Sequence, residues 1–286
     1  MANEVTSSVI TELIPVVNAE TTFRLTKILN LPNLITQKDI SNQPGLVAYF
    51  PYTPAGTTAT ALTENTDLST NTAFDTGRGT ATCSQVGLMF TVTDLATMGS
   101  QDNLVNLISD YASNALAAKI ESDIIALFDG FSTSKGTTNT NLTLSVFKSA
   151  ITALEKASAP RPYYAVLSPQ VWQDLTDQIQ ATSSAPANVG VKFPDSLMYS
   201  YYVGELLGVP VYISTLFSDD GSGDHKCGMF SKQALGIAWK VRANIEIERD
   251  ASLRAYQVVA TATYGVTEIV DAFGVELLCD GDTHSG

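Results

Sequence analysis

The stretch from Ser100 to Asp129 limits the possible folds of this chain more than any other part of the sequence. Its apolar residues recur mostly at spacings of three and four, which predicts a single amphipathic helix. Ser100 is placed to cap the first turn, and Gly130 to end the helix from the position after its last residue. At about 1.5 Å per residue, such a helix is roughly 45 Å long. It is longer than a compact domain needs to cross its own core, so we expect it to act as a spine.

The composition predicts a chain with a substantial core and argues against binding nucleic acid through its phosphates. The 286 residues are 44% apolar, and 16 Lys and Arg stand against 29 Asp and Glu, a formal charge of −13. This length allows one large or two smaller domains, whereas the acidic excess disfavours contact with phosphates. The N-terminus lacks the basic region of a signal peptide, and no apolar run in the sequence is long enough to span a membrane. We expect a water-soluble protein made in the cytoplasm, with Cys83, Cys227 and Cys279 as reduced thiols.

The first third of the chain contains two segments that cannot form a core by themselves. Residues 1–44 hold short apolar clusters broken by prolines, which predicts an arm that lies along a neighbouring surface. Residues 45–92 are predicted to form an extended loop of two strands. An aromatic and β-branched run is followed there by a polar middle, and then by alternation from Val86 to Val92. A two-stranded ribbon is marginal in water, so we expect it to lie on another surface, which a second subunit could supply.

Residues 160–232 predict a small α/β unit. A strand from Tyr163 to Leu167 is followed by a helix capped by Ser168, with a proline in its first turn. A short helix ending at Gly208 is expected next, and then another strand. Strands and helices in this order favour layers that cover each other's faces.

The rest of the chain predicts a second unit and an overall α+β fold. A helix is expected from Leu144 to Ala157, and the tail is rich in alternating, strand-like segments. We therefore expect residues 93–159 and 233–286 to form one unit around the spine helix, with the 160–232 unit inserted between them.

The sequence offers few residues for catalysis, and we predict no catalytic, cofactor or metal site. Its only histidines are His225 and His284. His225 lies in a glycine-rich hydrophilic run, which predicts a surface turn rather than part of a Ser-His-Asp triad. Ser145 and Lys148 match the SxxK spacing of some acyl-transfer enzymes, near a helix start. The Lys-(Ser/Thr)-Gly element of those enzymes is missing from the sequence, so chance explains the match better.

Two acidic groups also have ordinary structural explanations. Asp219, Asp220 and Asp224 could surround a calcium ion, but their spacing does not match an EF-hand loop, and a solvated turn explains them better. Glu246 and Glu248 share one face of a predicted strand, as a general acid and base would. Alternating Glu residues are nevertheless common on exposed strands.

The order of these parts resembles the major capsid protein of tailed bacteriophages, which has the Hong Kong 97 fold. The resemblance spans nearly the whole chain. The arm and extended loop precede VTDLATMGSQDNLVNLISDYASNALAAKIESDIIALFDG, and this run is followed by GELLGVPVYIS and FSKQALGIAWKVRANIEIERDASLRAYQVVATATYGVTEIVDAFGVELL. The resemblance implies that residues 160–232 are the axial domain, and that residues 93–159 and 233–286 are the peripheral domain. These patterns are specific through their order and spacing rather than through invariant motifs.

The resemblance implies a structural function. Copies of the chain would assemble as hexamers and pentamers into the icosahedral head shell of a virion, which encloses double-stranded DNA without sequence-specific binding. The arm and the extended loop would lie on neighbouring subunits. On the loop we select Phe50, Tyr52, Phe74 and Arg78 as inter-subunit contacts. An acidic chain suits a shell that contains DNA without gripping it.

The sequence differs from some family members in two ways. Between Lys38 and Lys119 it has no lysine and only Arg78 as a base, so the lysine through which some shells cross-link covalently is missing. We expect a non-covalent shell, which a separate cement protein could reinforce. The arm begins almost at Met1, so we also expect a separate scaffolding protein or an already processed chain, besides a portal.

Three alternatives stay open. Encapsulin nanocompartments share the fold but enclose protein cargo, and a cargo-binding pocket cannot be identified from the sequence. A serine hydrolase would use Ser145 with Lys148. A phage tail or adhesion protein would form tubes, rings or trimers rather than closed shells.

Overall fold

The computed structural model describes residues 30–53, 61, 64, 76–94, 104–182, 191–192, 202–217 and 223–281. Within these ranges the chain has an α+β structure of four α-helices and thirteen strands in three sheets. None of the helices in these ranges combines the length and the apolar character that crossing a membrane requires.

The helices and strands are numbered in chain order. The helices are α1 (Leu31–Leu34), α2 (Leu104–Ile125), α3 (Leu144–Lys156) and α4 (Pro169–Thr182). The strands are β1 (Thr36–Asp39), β2 (Val47–Tyr52), β3 (Gly77–Thr82), β4 (Ser84–Thr93), β5 (Ser134–Gly136), β6 (Tyr163–Leu167), β7 (Val191–Lys192), β8 (Tyr202–Leu206), β9 (Val209–Ile213), β10 (Asp224–Ser231), β11 (Leu235–Asp250), β12 (Ala255–Glu268) and β13 (Gly274–Asp280).

The four-stranded sheet is covered by the spine helix α2. Its strand order is β1-β11-β12-β4, and β11 and β12 form a long antiparallel hairpin at its centre. Leu116, Ile120 and Ile124 of α2 are buried in one cluster with Trp239 of β11 and Tyr264 of β12. Residues spaced by four lie on one face of a helix. Ile120 and Ile124 of the predicted apolar stripe pack on the sheet, whereas Tyr111, which the same spacing places in the stripe, is 64% exposed.

The α-helical part of the spine ends earlier than predicted. Helix α2 stops at Ile125, and Ala126–Gly130 form a 3₁₀ turn followed by extended backbone at Phe131. The prediction that Gly130 caps the helix from outside is therefore wrong, because Gly130 belongs to this turn. The tighter turn brings the buried rings of Phe128 and Phe131 into a stack with 6.3 Å between their centroids. The predicted cap at Ser100 lies outside the described residues.

The seven-stranded sheet has the order β5-β13-β10-β6-β9-β8-β7. Buried residues of α3 and α4 pack in one cluster with those of β6, β9, β10 and β13. Strands β5 and β13 come from residues 93–159 and 233–286, whereas the other five come from 160–232. The sheet thus joins strands from both predicted units, and the division into these units stays a prediction.

The segment before Gly208 is a strand, so the predicted short helix is wrong. Strands β8 and β9 form a hairpin whose turn residues, Leu207 and Gly208, have φ angles of 55° and 79°. Two successive residues with positive φ are typical of a type I′ turn, whose twist matches that of the paired strands. The glycine therefore marks a hairpin turn rather than a helix end.

His225 also lies in a strand rather than in the predicted surface turn. It is half-buried in β10, opposite Cys279 of β13. Its ring stacks on Phe217 with 6.0 Å between the ring centroids. Pairing with β13 begins at Asp224, so the ladder extends into the hydrophilic run that predicts a turn. Cys227 on the same strand is buried and free, as are Cys279 and Cys83.

Candidate inter-subunit surface

Strands β2 and β3 form a ribbon that carries three of the four predicted inter-subunit contacts. These are Phe50, Tyr52 and Arg78, and the antiparallel register of the ribbon is continuous over all six of its residue pairs. Phe74 lies outside the described residues. The ribbon therefore shows which side chains of β2 and β3 face the rest of the chain and which face away from it.

The inner face of the ribbon is buried against the chain itself. Ala48 and Phe50 of β2 and Ala81 of β3 lie in one cluster with Ala238 of β11 and Ile269, which follows β12. Phe50 is only 5% exposed, so its ring has little area left to offer to another subunit. The chain thus supplies the surface beneath the base of the ribbon, which the sequence alone suggests would come from a neighbour.

A glycine allows the ribbon to approach the sheet so closely. A Cβ atom on Gly265 of β12 would lie 2.5 Å from the carbonyl oxygen of Thr82 and 3.0 Å from the nitrogen of Cys83. These separations are too short for a side chain, and a close backbone approach of this kind is one use of glycine within a strand. Gly265 therefore fixes the position of the ribbon on the sheet.

The outer face of the ribbon is exposed, and β2 lines it with apolar side chains whereas β3 lines it with polar ones. Leu46, Val47 and Tyr49 are 51%, 42% and 47% exposed. The Arg78 guanidinium lies 4.9 Å from the centroid of the Tyr49 ring, a cation–π geometry. Lys38 Nζ donates to the Tyr49 carbonyl oxygen over 2.7 Å and so holds the strand that bears this face. Contiguous exposed apolar side chains mark interaction sites. The candidate inter-subunit surface consists of Val47, Tyr49 and Arg78 on the outer face, together with Leu46, which directly precedes β2.

Tyr52 lies at the far end of the ribbon, opposite Gly77. A Cβ atom on Gly77 would lie 2.3 Å from the Tyr52 ring, so the ring covers the glycine. An aromatic ring over a glycine on the partner strand shields backbone that would otherwise be exposed. Tyr52 is half-buried, so part of its ring remains accessible to a partner.

A buried carboxylate ties the start of the described chain to the spine helix. Glu121 of α2 is 2% exposed, and its Oε1 accepts from the backbone N–H of Asn30 over 2.9 Å and of Leu31 over 3.4 Å. Burial raises the pKa of Glu121, and the two hydrogen bonds act in the opposite direction. The first N–H groups of a helix have no partner within the helix. Glu121 supplies that partner and anchors α1.

A second carboxyl group with a raised pKa belongs to Glu268, whose backbone lies beside the ribbon. A Cβ atom on Gly79 of β3 would lie 3.0 Å from the carbonyl oxygen of Glu268, the last residue of β12. Burial raises the pKa of Glu268 to about 7, together with the charge of Asp271 and a hydrogen bond to it. Asp271 accepts from the backbone N–H of Ser132 over 2.7 Å. The two carboxyl groups lie where the chain passes from the four-stranded to the seven-stranded sheet.

The residues considered for catalysis do not form a catalytic site in the described part of the chain. Ser145 and Lys148 are both exposed on α3, whereas a serine nucleophile needs an activating partner held in place beside it. Glu246 and Glu248 are exposed on β11, as their alternation predicts. His225 packs on an aromatic ring, as described above.

The residues considered for calcium binding do not form a loop site in the described part of the chain. Asp224 is 1% exposed in β10, and its Oδ1 accepts from the backbone N–H of Asn139 over 2.7 Å. Asp219 and Asp220 lie outside the described residues. Among those that are described, no three His, Cys, Asp or Glu side chains are grouped so that they could hold a metal ion.

Sequence reasoning missed the exposed half of the ribbon. In β2, Ala48 and Phe50 are buried, whereas Val47 and Tyr49 are exposed. Alternation shows that two faces exist, but both faces of this strand carry apolar residues. The pattern therefore does not indicate which face meets the chain. Small residues at Ala81 and Ala238, on elements distant in sequence, are what make room for Phe50.

Comparisons with known proteins agree with this architecture. The profile of a family described as "Phage capsid protein" matches residues 80–275. The capsid of Ralstonia phage GP4 is similar with a TM-score of 0.69 at 11% identity, over 88% of this chain and 88% of its own. The capsid of cyanophage P-SCSP1u has a TM-score of 0.64 at 14% identity, covering 87% of both chains. The head structure of Helicobacter pylori bacteriophage KHP40 has a TM-score of 0.62 at 11% identity, covering 86% of this chain and 88% of its own. No curated protein matches the sequence.

The two kinds of comparison support different conclusions. The structural likeness, at these low identities, confirms the predicted α+β fold of the Hong Kong 97 type. The family profile covers more than half of the chain, so it establishes the family and with it the predicted structural function. The chain therefore belongs to the phage capsid protein family, and it is a major capsid protein that forms the shell of a phage head.

Proposed function

We propose that the chain assembles with copies of itself, as hexamers and pentamers, into a closed icosahedral shell around double-stranded DNA. The observation that carries this proposal is the exposed apolar face of the ribbon in a chain of the capsid family. A free subunit leaves Leu46, Val47 and Tyr49 in water, and a neighbouring subunit would remove them from it. Burial of apolar area contributes about 25 cal/mol per Å². Repeated at every subunit contact of a shell, this contribution favours assembly.

The parts of the chain are assigned to different roles in this shell. Residues 1–44 are the arm, and residues 45–92 are the extended loop, which reaches a neighbouring subunit. Residues 160–232 are the axial domain, and residues 93–159 and 233–286 are the peripheral domain. The separate two-stranded sheet of β2 and β3 supports the assignment of the extended loop.

The shell is held together without covalent cross-links, and the chain does not act as an enzyme. Arg78 is the only basic residue between Lys38 and Lys119, and its guanidinium lies over the Tyr49 ring. A guanidinium in this position adds a cation–π contact to an apolar surface, whereas an isopeptide bond requires a lysine amine. A separate cement protein would strengthen such a shell from outside.

The remaining partners follow from the same proposal. A separate scaffolding protein and a portal would direct assembly in the host cytoplasm, and the finished shell would be part of the virion. A formal charge of −13 per chain supports a container that encloses DNA without binding its sequence. An encapsulin shell would instead hold protein, so the contents of particles from the native source distinguish the two.

The proposal is tested by expressing the chain with its neighbouring genes and imaging the particles by negative-stain electron microscopy. Tyr49→Asp places a carboxylate on the candidate inter-subunit surface and should give folded subunits that do not form shells. Ser149→Asp, on the exposed side of α3, is the matched control and should assemble like the parent. Normal shells from Tyr49→Asp would show that the outer face of the ribbon is not part of the contact between subunits. A parent chain that stays monomeric under every condition would overturn self-assembly.

A further inference from the structure

Strand β4 lies at an edge of the four-stranded sheet. It pairs with β12 in ten consecutive residue pairs, from Ser84 opposite Tyr264 to Thr93 opposite Ala255. Among the described residues, its other side faces no strand of the sheet. An edge strand of this length presents a row of backbone groups that can pair with another strand.

The outer part of β11, at the opposite edge, is protected against such pairing, and β4 is not. Strand β1 covers β11 only from Gly236 to Trp239. Beyond it, the register of β11 shifts at two places, and the exposed side chains include Glu246 and Glu248. Bulges and charges are the usual protection of an edge. Strand β4, with the sequence SQVGLMFTVT, has no charge, no proline and no register shift.

The side chains beside the open edge are apolar and incompletely covered. On the face towards α2, Leu88 and Phe90 are half-buried and pack against the core. On the other face, Met89 is 59% exposed. Tyr111 of α2 is 64% exposed, and its ring stands edge-on to Phe90 with 5.4 Å between the centroids. A strand added at this edge would cover these groups.

We propose that β4 pairs antiparallel with β4 of a second copy, about a twofold axis that passes beside Met89. The inference rests on the proposed self-assembly and names one contact within it. A twofold axis perpendicular to the sheet keeps α2 on the same side in both copies. Residues that lie opposite each other must then point to the same face. Two registers near the middle of β4 satisfy this condition, one with the axis at Met89 and one with the axis at Leu88. They pair different residues.

The register centred on Met89 matches apolar residues with apolar residues. It places Leu88 opposite Phe90 and Val86 opposite Val92 on the face that is covered by α2. Centring the axis on Leu88 would instead place the polar Ser84 opposite Val92 on that face. Apolar cross-strand pairs stabilise a sheet, so the Met89 register is favoured.

Charge also favours a second copy as the partner of this edge. Each chain carries a formal charge of −13, so copies approach each other best through uncharged surfaces. All ten residues of β4 are uncharged. Nucleic acid is disfavoured as a partner, because the strand offers no cation to its phosphates. In a C2 contact, one patch serves both partners, and a neutral strand meets no like charge when it pairs with itself.

Oxidative cross-linking of single cysteine variants tests both the contact and its register. Met89→Cys places two thiols opposite each other, about 4.5–5.5 Å apart between Cβ atoms, within reach of a disulfide after small adjustment. Gln85→Cys lies on the same exposed face, but its two copies would be eight residues apart along the strand, roughly 27 Å. The native cysteines are buried, so diamide, a thiol oxidant, should leave them unchanged in folded subunits.

The expected result is a disulfide-linked dimer of Met89→Cys on a non-reducing gel, with little or none for Gln85→Cys. A mixture of Gln85→Cys and Thr93→Cys subunits should cross-link, because the register places these positions opposite each other. Equal cross-linking of Met89→Cys and Gln85→Cys would overturn the inference. So would shells that form normally and contain no Met89→Cys dimer. In that case the proposed shell function would stand, because microscopy reads assembly independently of the cross-link.

Discussion

The hydroxyl group of Tyr264 donates a hydrogen bond of 2.6 Å to Oδ2 of Asp123 and joins β12 to the spine helix. Lys119 Nζ lies 2.6 Å from Oδ1 of the same carboxylate, so both oxygens of Asp123 have a partner. Burial, with a further contribution from Asp123, raises the pKa of Tyr264. The phenol therefore stays protonated and remains a donor. This contact fixes the helix over the sheet at one point along its length.

Replacing Tyr264 with Phe should lower the free energy of unfolding of the free subunit by about 1.5–3 kcal/mol, the usual contribution of a hydrogen bond to a charged group. The ring still packs beside Trp239, so the loss should be limited to the hydroxyl. Urea denaturation followed by tryptophan fluorescence measures the change. Tyr256→Phe, on the same strand, is the control and should change stability by less than about 0.5 kcal/mol. Equal stability of Tyr264→Phe and the parent would show that packing alone holds the helix.

Removing the Glu121 carboxylate should loosen the start of the described chain. Glu121→Ala leaves the N–H groups of Asn30 and Leu31 without their acceptor, which should lower the free energy of unfolding by about 2–3 kcal/mol. Glu121→Gln keeps an acceptor oxygen in the same place and should recover most of this loss. Limited proteolysis, read by mass spectrometry, should show faster cleavage near Asn30 only in Glu121→Ala. Equal behaviour of the two variants would contradict the anchoring role.

Glu268 should make the stability of the subunit depend on pH between about 4.5 and 7. Its pKa in the folded chain is about 7, raised from 4.5, so the folded state favours the protonated form. Stability from this group is complete below about pH 4.5 and is lost as the pH rises through 7. Thermal unfolding of Glu268→Gln should show a flatter pH profile and, above pH 7, a higher midpoint than the parent. Glu246→Gln, at an exposed position of β11, should leave the profile unchanged. An unaltered slope in Glu268→Gln would contradict the prediction.

Replacing Gly265 with Ala should displace the ribbon from the sheet. The added methyl group would overlap the carbonyl of Thr82, and relief of such crowding costs about 1–3 kcal/mol. We expect a less stable subunit in which protease cuts β2 or β3 more readily, together with fewer closed shells by microscopy. Thr263→Ala, two residues earlier on the same face of β12, is the matched control. Shells from Gly265→Ala at the parent's yield would show that the ribbon tolerates a shift on the sheet.

Local patterns predicted the elements of this fold better than their ends and contacts. Elements that depend only on neighbouring residues are predicted correctly. They include the period of the spine helix, the alternation of β4 and the strand before Ser168. The sequence does not reveal the turn at Leu207 and Gly208, because a leucine with positive φ is rare and a glycine after an apolar run equally fits the end of a helix. The 3₁₀ turn at Gly130 depends on the packing of Phe128 with residues distant in sequence.

The same distinction applies to the candidate surface. The sequence shows that β2 has two apolar faces, but burial of Phe50 depends on small side chains on other elements and on the close approach at Gly265. The order of the parts carried the resemblance to capsid proteins, and that order was sufficient for the fold and the family. The exposed surface required the three-dimensional positions.

The strand order also bears on when a newly made chain can join a shell. Strands β11 and β12 form the centre of the four-stranded sheet, and β13 connects β5 to the rest of the seven-stranded sheet. All three lie after residue 234, so neither sheet can be completed before that part of the chain is made. A chain released early by the ribosome would lack the middle of one sheet and the link of the other. Prematurely terminated products therefore cannot present the folded contact surfaces, and they would be left out of growing particles instead of spoiling them.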